Sequence, residues 1–539
     1  MYKNKLNNYL IFLFFIYIIL SLTIYKDYGI SIDEPSTRFH GLVSFNYVVG
    51  ILNKFFFFNF SVNENLPNLQ NYEYRDYGVF FELIAILIEN IFQLKSFSDI
   101  FYLRHLITNI IYIFSALIFA KIIYKFTKNF SFSLLGSMIL YTTPRIFANS
   151  FYNNKDLIFL SFFIFCIYFL FSFLKKKNNK SLVLVSLSLA ILTSVRVIGI
   201  YLLILLLIFL LIEIFEKKKN RSSFIDIFKI IIFYSLFIYI TWPLLWENPL
   251  DNFLYSFKNM INYPWGGSVF YLGEYHKGAY LPWHYLLVWI IASSPSGIIF
   301  IFLISFAFIF FRFIKRLFKI EERNYYNSLW KSNNELFSYL NFAIIFSPIF
   351  LVIVNSSTVY SGWRHVYFVY PSMILLVIYF LDLLSRLVFK LKYKKIINII
   401  LIFLLILNIN ALIKYHPYQN VYFNKFFENN ANKLFEIDYW GLSNVDALKK
   451  LAEEQGNINV CNLGLMNLSL SKKMLSETSK NKIIIQGQDF EKCSHIISNN
   501  IYIHNPKFTK KYQLPDNFKM NSQIKRGNVI ISEIFERQK

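Results

Sequence analysis

The sequence predicts an α-helical polytopic membrane protein of about 11 transmembrane helices, followed by a small α/β domain outside the membrane. Three observations predict it. The 539 residues are 56% hydrophobic with a mean hydropathy of +0.43, far more apolar than a soluble domain of that length. Lys and Arg give a formal charge of +23, yet they fall largely in short clusters between apolar runs. That is the pattern of cytoplasmic loops and not of a nucleic-acid surface. After Leu412 hydrophobicity falls, and short apolar runs alternate with polar ones.

A spanning helix needs about 20 apolar residues, and basic clusters mark the cytoplasmic ends. The clusters are Lys3 and Lys5; Lys121, Lys125 and Lys128; Lys175 to Lys180; Lys217 to Arg221; Arg312 to Lys319; and Arg386 to Lys395. With each inside, the spans fall at 8–26, 101–121, 130–147, 156–174, 181–197, 198–215, 225–242, 282–312, 338–355, 364–385 and 396–413. The N-terminus is then inside and the C-terminus outside. The run 8–26 lacks a small-residue cleavage pattern and reads as a retained first helix. Val79 to Leu94 is apolar enough to span, but counting it would turn every later basic loop outward. Its acids Glu82 and Glu89 share one helical face, which suits a helix lying in the interface. The first outer loop, 27–100, is therefore long.

Ser181 to Phe215 covers 35 residues, too many for one crossing of a core about 30 Å thick. It is expected to fold as a hairpin turning at Arg196-Val197-Ile198-Gly199, while Pro295 and Gly297 let 282–312 kink. The membrane module is expected over 1–413 and the soluble domain over 414–539. In the latter, Ser443 is placed to cap a helix from Asn444 to Gln455 that Gly456 closes. Strands are expected at Ile458 to Cys461, Ile483 to Ile485, His495 to Ile497 and Val529 to Ile531. Cys166, Cys461 and Cys493 match no zinc or CxxC spacing. Cys461 and Cys493 are expected as buried, unpaired thiols, with pairing the alternative if their domain is extracytoplasmic.

The polar residues gather on one side. Asp33 and Glu34 follow the first span, sealed into a turn by Pro35 and trailed by Arg38 and His40. Arg104, Arg145, Arg196 and Arg364 all fall at outer helix ends, against the positive-inside bias. One such arginine would be read as snorkelling to headgroups. Four facing two carboxylates favour a shared anionic ligand, and Arg suits bidentate phosphate recognition. The loop with Asn154, Lys155 and Asp156 adds a third carboxylate, and Ser356 to His365 brings Trp363 and His365. The loop Trp242 to Leu281 is long enough to cover the site. Most outer Trp and Tyr residues read as interfacial anchors, and His284 as an interfacial histidine.

These features together resemble the GT-C glycosyltransferases. The lipid-phosphate-sugar-dependent group is the nearest, with the protein O-mannosyltransferases and the aminoarabinose transferases of lipid A. Ser31-Ile32-Asp33-Glu34 resembles the first-loop acidic motif, Asn154-Lys155-Asp156 the second-loop acid, and Leu192 to Arg196 a segment carrying a basic residue. Tyr360 to His365 and Phe435 to Gly441 look like patches of a bacterial branch. Unlike the eukaryotic O-mannosyltransferases, no loop of the membrane region can hold a large folded insertion.

The resemblance implies an integral protein of the plasma (bacterial inner) membrane, with its active site and C-terminal domain extracytoplasmic. It would transfer a sugar, a hexose such as mannose or a pentose, from a polyprenyl-phosphate-linked donor to a glycan, lipid or protein acceptor, with inversion. Asp33 would be the general base, with Glu34 and Asp156 orienting the acceptor, the sugar or Asp33 itself. Arg104, Arg145, Arg196 and Arg364 would hold the donor phosphate, and Arg38, His40, Asn154, Lys155, Trp363 and His365 would contact sugar or acceptor. No metal or other cofactor is expected. The rival readings are a lipid-substrate transporter or flippase and a non-catalytic assembly factor. Transporters place ionisable residues near the midplane and often repeat their halves, whereas here the polar groups crowd one face.

Overall fold

The computed structural model describes residues 2–56, 62–217, 221–261, 263–318, 329–387, 392–464, 467–499 and 513–538. Parts of the basic clusters Lys217 to Arg221, Arg312 to Lys319 and Arg386 to Lys395 lie outside the described residues. Among those described, nine helices are long and apolar enough to cross a membrane. Two shorter apolar helices, Phe130–Tyr141 and Asn179–Val195, fall where two further spans are expected. The chain is an integral membrane protein. Two expected spans are broken by proline. The 130–147 segment stops at Tyr141 and restarts as the buried helix Pro144–Tyr152, where Pro144 takes the first helical position, which needs no N–H partner. The 282–312 segment divides into Tyr285–Ser293 and Ser296–Leu317 on either side of Pro295.

The basic residues sit at one end of the helices and the site residues at the other. Asp156 and Lys176 bound a single 21-residue helix, about 31 Å end to end at 1.5 Å per residue, the thickness of a hydrocarbon core. Arg364 and Arg386 bound another apolar segment in the same sense.

The first outer loop corrects two expectations. Asp33-Glu34-Pro35 is not a turn but the first turn of a 24-residue helix, Asp33–Phe56. Both acids there favour the positive helix end, and a first-turn proline costs no hydrogen bond. A helix forms at Phe80–Ile91, within the expected stretch, with Glu82 and Glu89 facing inward, 5% and 4% exposed, while Leu87, Ile91 and Phe92 point out. The reason is Arg104, which is buried beside both acids. Its guanidinium donates to Glu82 and, at 2.6 Å, to Glu89, and Glu89 also accepts from Arg38 at 2.9 Å. A shared face shows only that two acids point the same way; a buried cation decides which way.

Beyond Tyr415 the chain stays in the main core through Leu442 before the soluble fold begins. That fold is a five-stranded sheet built from β3 (Ile458–Asn462), β4 (Ile483–Gly487), β5 (His495–Ser498), β6 (Phe518–Arg526) and β7 (Val529–Arg537), in the order β4-β3-β5-β7-β6. β3 runs parallel to both β4 and β5, while β7 is antiparallel to β5 and β6. A two-stranded hairpin, β1 (Ser268–Tyr271) and β2 (Glu274–Lys277), lies in the loop before the eighth expected span.

The cysteine expectation is overturned: Cys461 and Cys493 form a disulfide. β3 and β5 are neighbours, which brings Cys461, in β3, and Cys493, just before β5, to a Cα separation of 5.8 Å. Ser443 precedes the helix Asn444–Ala452 but does not cap it. Its hydroxyl and N–H instead donate to Asp438 at 2.5 and 3.0 Å. The sheet domain rests on Ile30, Ile100 and Phe101 of the membrane part. Gly29 lies so close to the Leu442 carbonyl that a Cβ there would collide with it.

Candidate functional site

The helix ends opposite the basic clusters enclose a cavity of about 320 Å³, lined among others by Asp33, His40, Asn154, Lys155, Asp156, Arg196, Arg364 and His365. Helix starts gather there. Asp33 and Asp156 are each the first residue of a helix, Arg196 immediately precedes one, and Arg364 opens the 3₁₀ turn leading into Tyr370–Leu387. Helix starts carry unpaired N–H groups and the positive end of the macrodipole, so the cavity is disposed to hold an anion.

Two carboxylates share one arginine. Arg364 Nη1 donates to Asp33 Oδ2 at 3.3 Å and to Asp156 Oδ2 at 3.1 Å. Their surroundings differ. Asp156, with its side chain 1% exposed, also accepts from Arg196 and from Asn153 Nδ2 at 3.1 Å, and its own N–H donates to Asn153 Oδ1 at 2.8 Å. Asp33 has a side chain 34% exposed, and Arg364 is its ion-pair partner. One carboxylate is locked and the other open to the cavity.

The surrounding side chains fix this pair. Asn154 Nδ2 donates to Thr37 Oγ1 and to Glu82 Oε1, both at 2.8 Å, tying the second outer loop to both outer helices. Glu34 turns away from the cavity: Oε2 accepts from the Ser31 N–H at 2.7 Å, and Oε1 meets His105 Nε2 at 2.9 Å. It holds the turn that presents Asp33. Lys155 sets its ammonium 4.3 Å above the Tyr77 ring. Burial holds it below the usual lysine range; Asp33 opposes that shift, and Arg364 and Arg196 add to it. His40 is pushed down to about 4 by burial, and its Nε2 lies 3.0 Å from the Tyr77 carbonyl, to which a neutral ring donates.

Arg364 itself is clasped between aromatic rings, with its Cζ 4.8 Å from the Tyr360 centroid and 5.4 Å from that of Trp440. Behind it lies Glu436, whose buried carboxyl faces the N–H groups of Ser361 and Gly362 and the guanidinium groups of Arg364 and Arg145. Burial pushes it up to about 8.

Five expected site residues do not line the cavity: Glu34, Arg38, Arg104, Arg145 and Trp363. Arg145 donates to the Tyr422 carbonyl at 3.1 Å beneath the rings of Trp289 and Phe423, and Trp363 Nε1 donates to Ser293 Oγ at 2.7 Å. Of the four outer arginines, only Arg196 and Arg364 meet at the cavity. Tyr77, Glu82, Tyr263, Trp265 and Tyr360 line it without having been singled out as site residues. Single aromatic residues at an interface look the same in sequence whether they anchor or line a site. Among the described residues, no group of three or more His, Cys, Asp or Glu could hold a metal ion.

Comparison with known proteins finds a family model over part of the chain. No curated protein matches the chain. In fold it is similar to ArnT from Cupriavidus metallidurans bound to undecaprenyl phosphate, at 10% identity and a TM-score of 0.45, covering 97% of each chain. It is similar at the same identity and TM-score to the Archaeoglobus fulgidus oligosaccharyltransferase tethered with an acceptor peptide, covering 97% of this chain and 74% of that one. Likenesses this distant support no assignment by themselves. A family model described as dolichyl-phosphate-mannose-protein mannosyltransferase matches residues 87–242. The matched stretch holds Asn154, Lys155, Asp156 and Arg196 and stops short of Arg364. Over residues 87–242, therefore, this chain is similar to a family of glycosyltransferases, in agreement with the resemblance read from its sequence.

Proposed function

We propose that this chain is a membrane glycosyltransferase that moves a sugar, with mannose the first choice, from a polyprenyl-phosphate carrier to an acceptor hydroxyl on the extracytoplasmic face. The observation that carries the reading is the unequal carboxylate pair on Arg364: Asp33 open to the cavity, Asp156 locked by two arginines. Asp33 takes the acceptor proton as the acceptor oxygen attacks the anomeric carbon. The bond from that carbon to the carrier phosphate breaks on the opposite side, which inverts the centre. Charge grows on the departing phosphate, and Arg364, Arg196 and Lys155 stabilise it there more than in the ground state. Burial holds Lys155 below its usual range, and an anionic phosphate beside it raises its proton affinity. Asp156 keeps both guanidinium groups in place, and Asn154 ties the loop to Glu82 and Thr37.

The family match over 87–242 supports the glycosyltransferase class. Two features support the outer location. The site lies at the helix ends opposite Lys175 and Arg386, and the sheet domain beside it carries a disulfide, a bond that persists in oxidising compartments.

The test is transfer from polyprenyl-phosphate-mannose in membranes holding each variant at matched levels. Asp33→Asn keeps the shape and removes the basic oxygen, so turnover is expected to fall about 100-fold or more. Near wild-type turnover by Asp33→Asn beside a dead Asp156→Asn moves the base to the second loop. Full activity in both, with Glu34→Gln also active, sinks the glycosyltransferase reading.

A further inference from the structure

An aromatic column extends outward from Arg364. Tyr360 lies 4.8 Å from the guanidinium carbon and stacks on Trp265, with ring centroids 4.3 Å apart and planes 13° from parallel. Two glycines also meet the Trp265 indole. A Cβ on Gly267 or on Gly278 would run into the ring, and one on Gly278 would also press Thr358. Those glycines flank the β1–β2 hairpin and face each other, the Gly278 N–H donating to the Gly267 carbonyl at 3.1 Å. The hairpin therefore holds Trp265 in a slot that only residues without a Cβ leave open. Contacts link the glycine pair to Trp265, Trp265 to Tyr360, and Tyr360 and Trp440 to Arg364.

Resting on the reading of Arg364 as the cation shared by Asp33 and the donor phosphate, we propose that Trp265 is a positioning residue that acts through Tyr360 to hold the Arg364 guanidinium in register with both carboxylates. Arg364 makes its two carboxylate contacts through a single nitrogen, Nη1, so a small swing of the guanidinium plane loses one of them. Two rings near Cζ oppose that swing: Trp440 from the C-terminal segment at 5.4 Å and Tyr360 at 4.8 Å. Tyr360 lies in the short segment between two helices. Two residues of that segment, Ser361 and Gly362, have φ of 57° and 72°, so the chain there does not form a helical turn that could hold the phenol ring. The indole supplies the missing backing.

The experiment is a mutant cycle on transfer from polyprenyl-phosphate-mannose by purified protein in nanodiscs. Trp265→Leu keeps an apolar side chain but removes the stack, and is expected to lower kcat/KM about tenfold. Tyr360→Leu is expected to do at least as much. The double variant is expected to be no worse than the weaker single, because both changes free the same arginine. Trp265→Phe retains a flat ring and restores activity to within about threefold of wild type. Gly278→Ala, which expels the indole while leaving every ring present, is expected to behave as Trp265→Leu does.

A residue that merely stabilised the fold would give none of this pattern, since its loss would multiply with that of Tyr360. Multiplying effects, or a Trp265→Leu protein that matches an active wild type, overturns the proposal. A wild-type protein that transfers no sugar at all instead refutes the function on which the proposal rests.

Discussion

Replacing Arg364 by Lys preserves its charge and removes almost everything else the structure gives it. A guanidinium reaches Asp33 and Asp156 from one nitrogen while lying flat between Tyr360 and Trp440. An ammonium on a shorter stem cannot do both. It would keep Asp156, the buried partner, and give up the contact to Asp33 at 3.3 Å. The lost charge-assisted hydrogen bond is worth about 1.5–3 kcal/mol, and the aromatic clasp about 0.5–2 kcal/mol. With some recovery by the ammonium, a loss near 3 kcal/mol corresponds to about 100-fold in kcat/KM, at roughly 1.4 kcal/mol per factor of ten. Because Asp156 keeps a cation, the protein should still insert and accumulate normally. The assay is sugar transfer at matched membrane levels, with donor concentration varied to separate kcat from KM. Activity within threefold of wild type would refute the idea that one planar cation serves both carboxylates.

Three further outcomes follow from the same geometry. Arg104→Met leaves Glu82 and Glu89 buried without their main cation, a change worth about 3–5 kcal/mol. The thermal midpoint in detergent should drop sharply, and Arg104→Met combined with Glu82→Gln and Glu89→Gln should regain part of it; an unchanged midpoint contradicts the pairing. Glu436 has its folded pKa raised to about 8 by burial, so between the usual carboxylate range and that value the folded protein holds a proton that the unfolded chain releases. Stability should therefore fall as pH rises through that window and level off above about 8. Glu436→Gln should remove this slope, and parallel pH curves for the two proteins would exclude it. Finally, thiol labelling of denatured, unreduced protein should find Cys166 alone, and reporters fused at Lys125 and after the last strand should lie on opposite sides of the membrane. Labelling of Cys461 or Cys493 would argue against the disulfide.

Most of the architecture was legible because membrane insertion writes itself into sequence. Apolar runs of one core thickness and basic clusters at alternate ends are demands of the lipid, and they also predict that Asp33, Asp156, Arg196 and Arg364 share a side. Sidedness was readable, but direction was not. Arg104 and Arg145 reach the outer helix ends like the other two arginines, and only tertiary packing turns one onto Glu82 and Glu89 and the other beneath Trp289. The helix Asp33–Phe56 was missed because Gly41 and Gly50 and scattered polar residues blur its period. The strand β6 was missed because only Phe518 of its nine residues is buried, so no alternation marks it. The segments of Tyr360 and Trp265 were noted, but not their contact, since a stack between segments almost a hundred residues apart leaves no local pattern.

The contact of Gly29 with Leu442 bears on when the protein becomes active during its synthesis. Asp33 leaves the ribosome early, but the segment that presents it is pressed against a residue made more than four hundred positions later. Trp440 closes over Arg364 only after the last membrane helix has inserted, and Val529 and Ile531 join the main core later still. A nascent chain with every membrane helix in place thus has its carboxylates and arginines but not the clasp that aligns them. Competence would arrive only once residues 440 to 531 have been made and packed, and a chain truncated before them would lack the clasp.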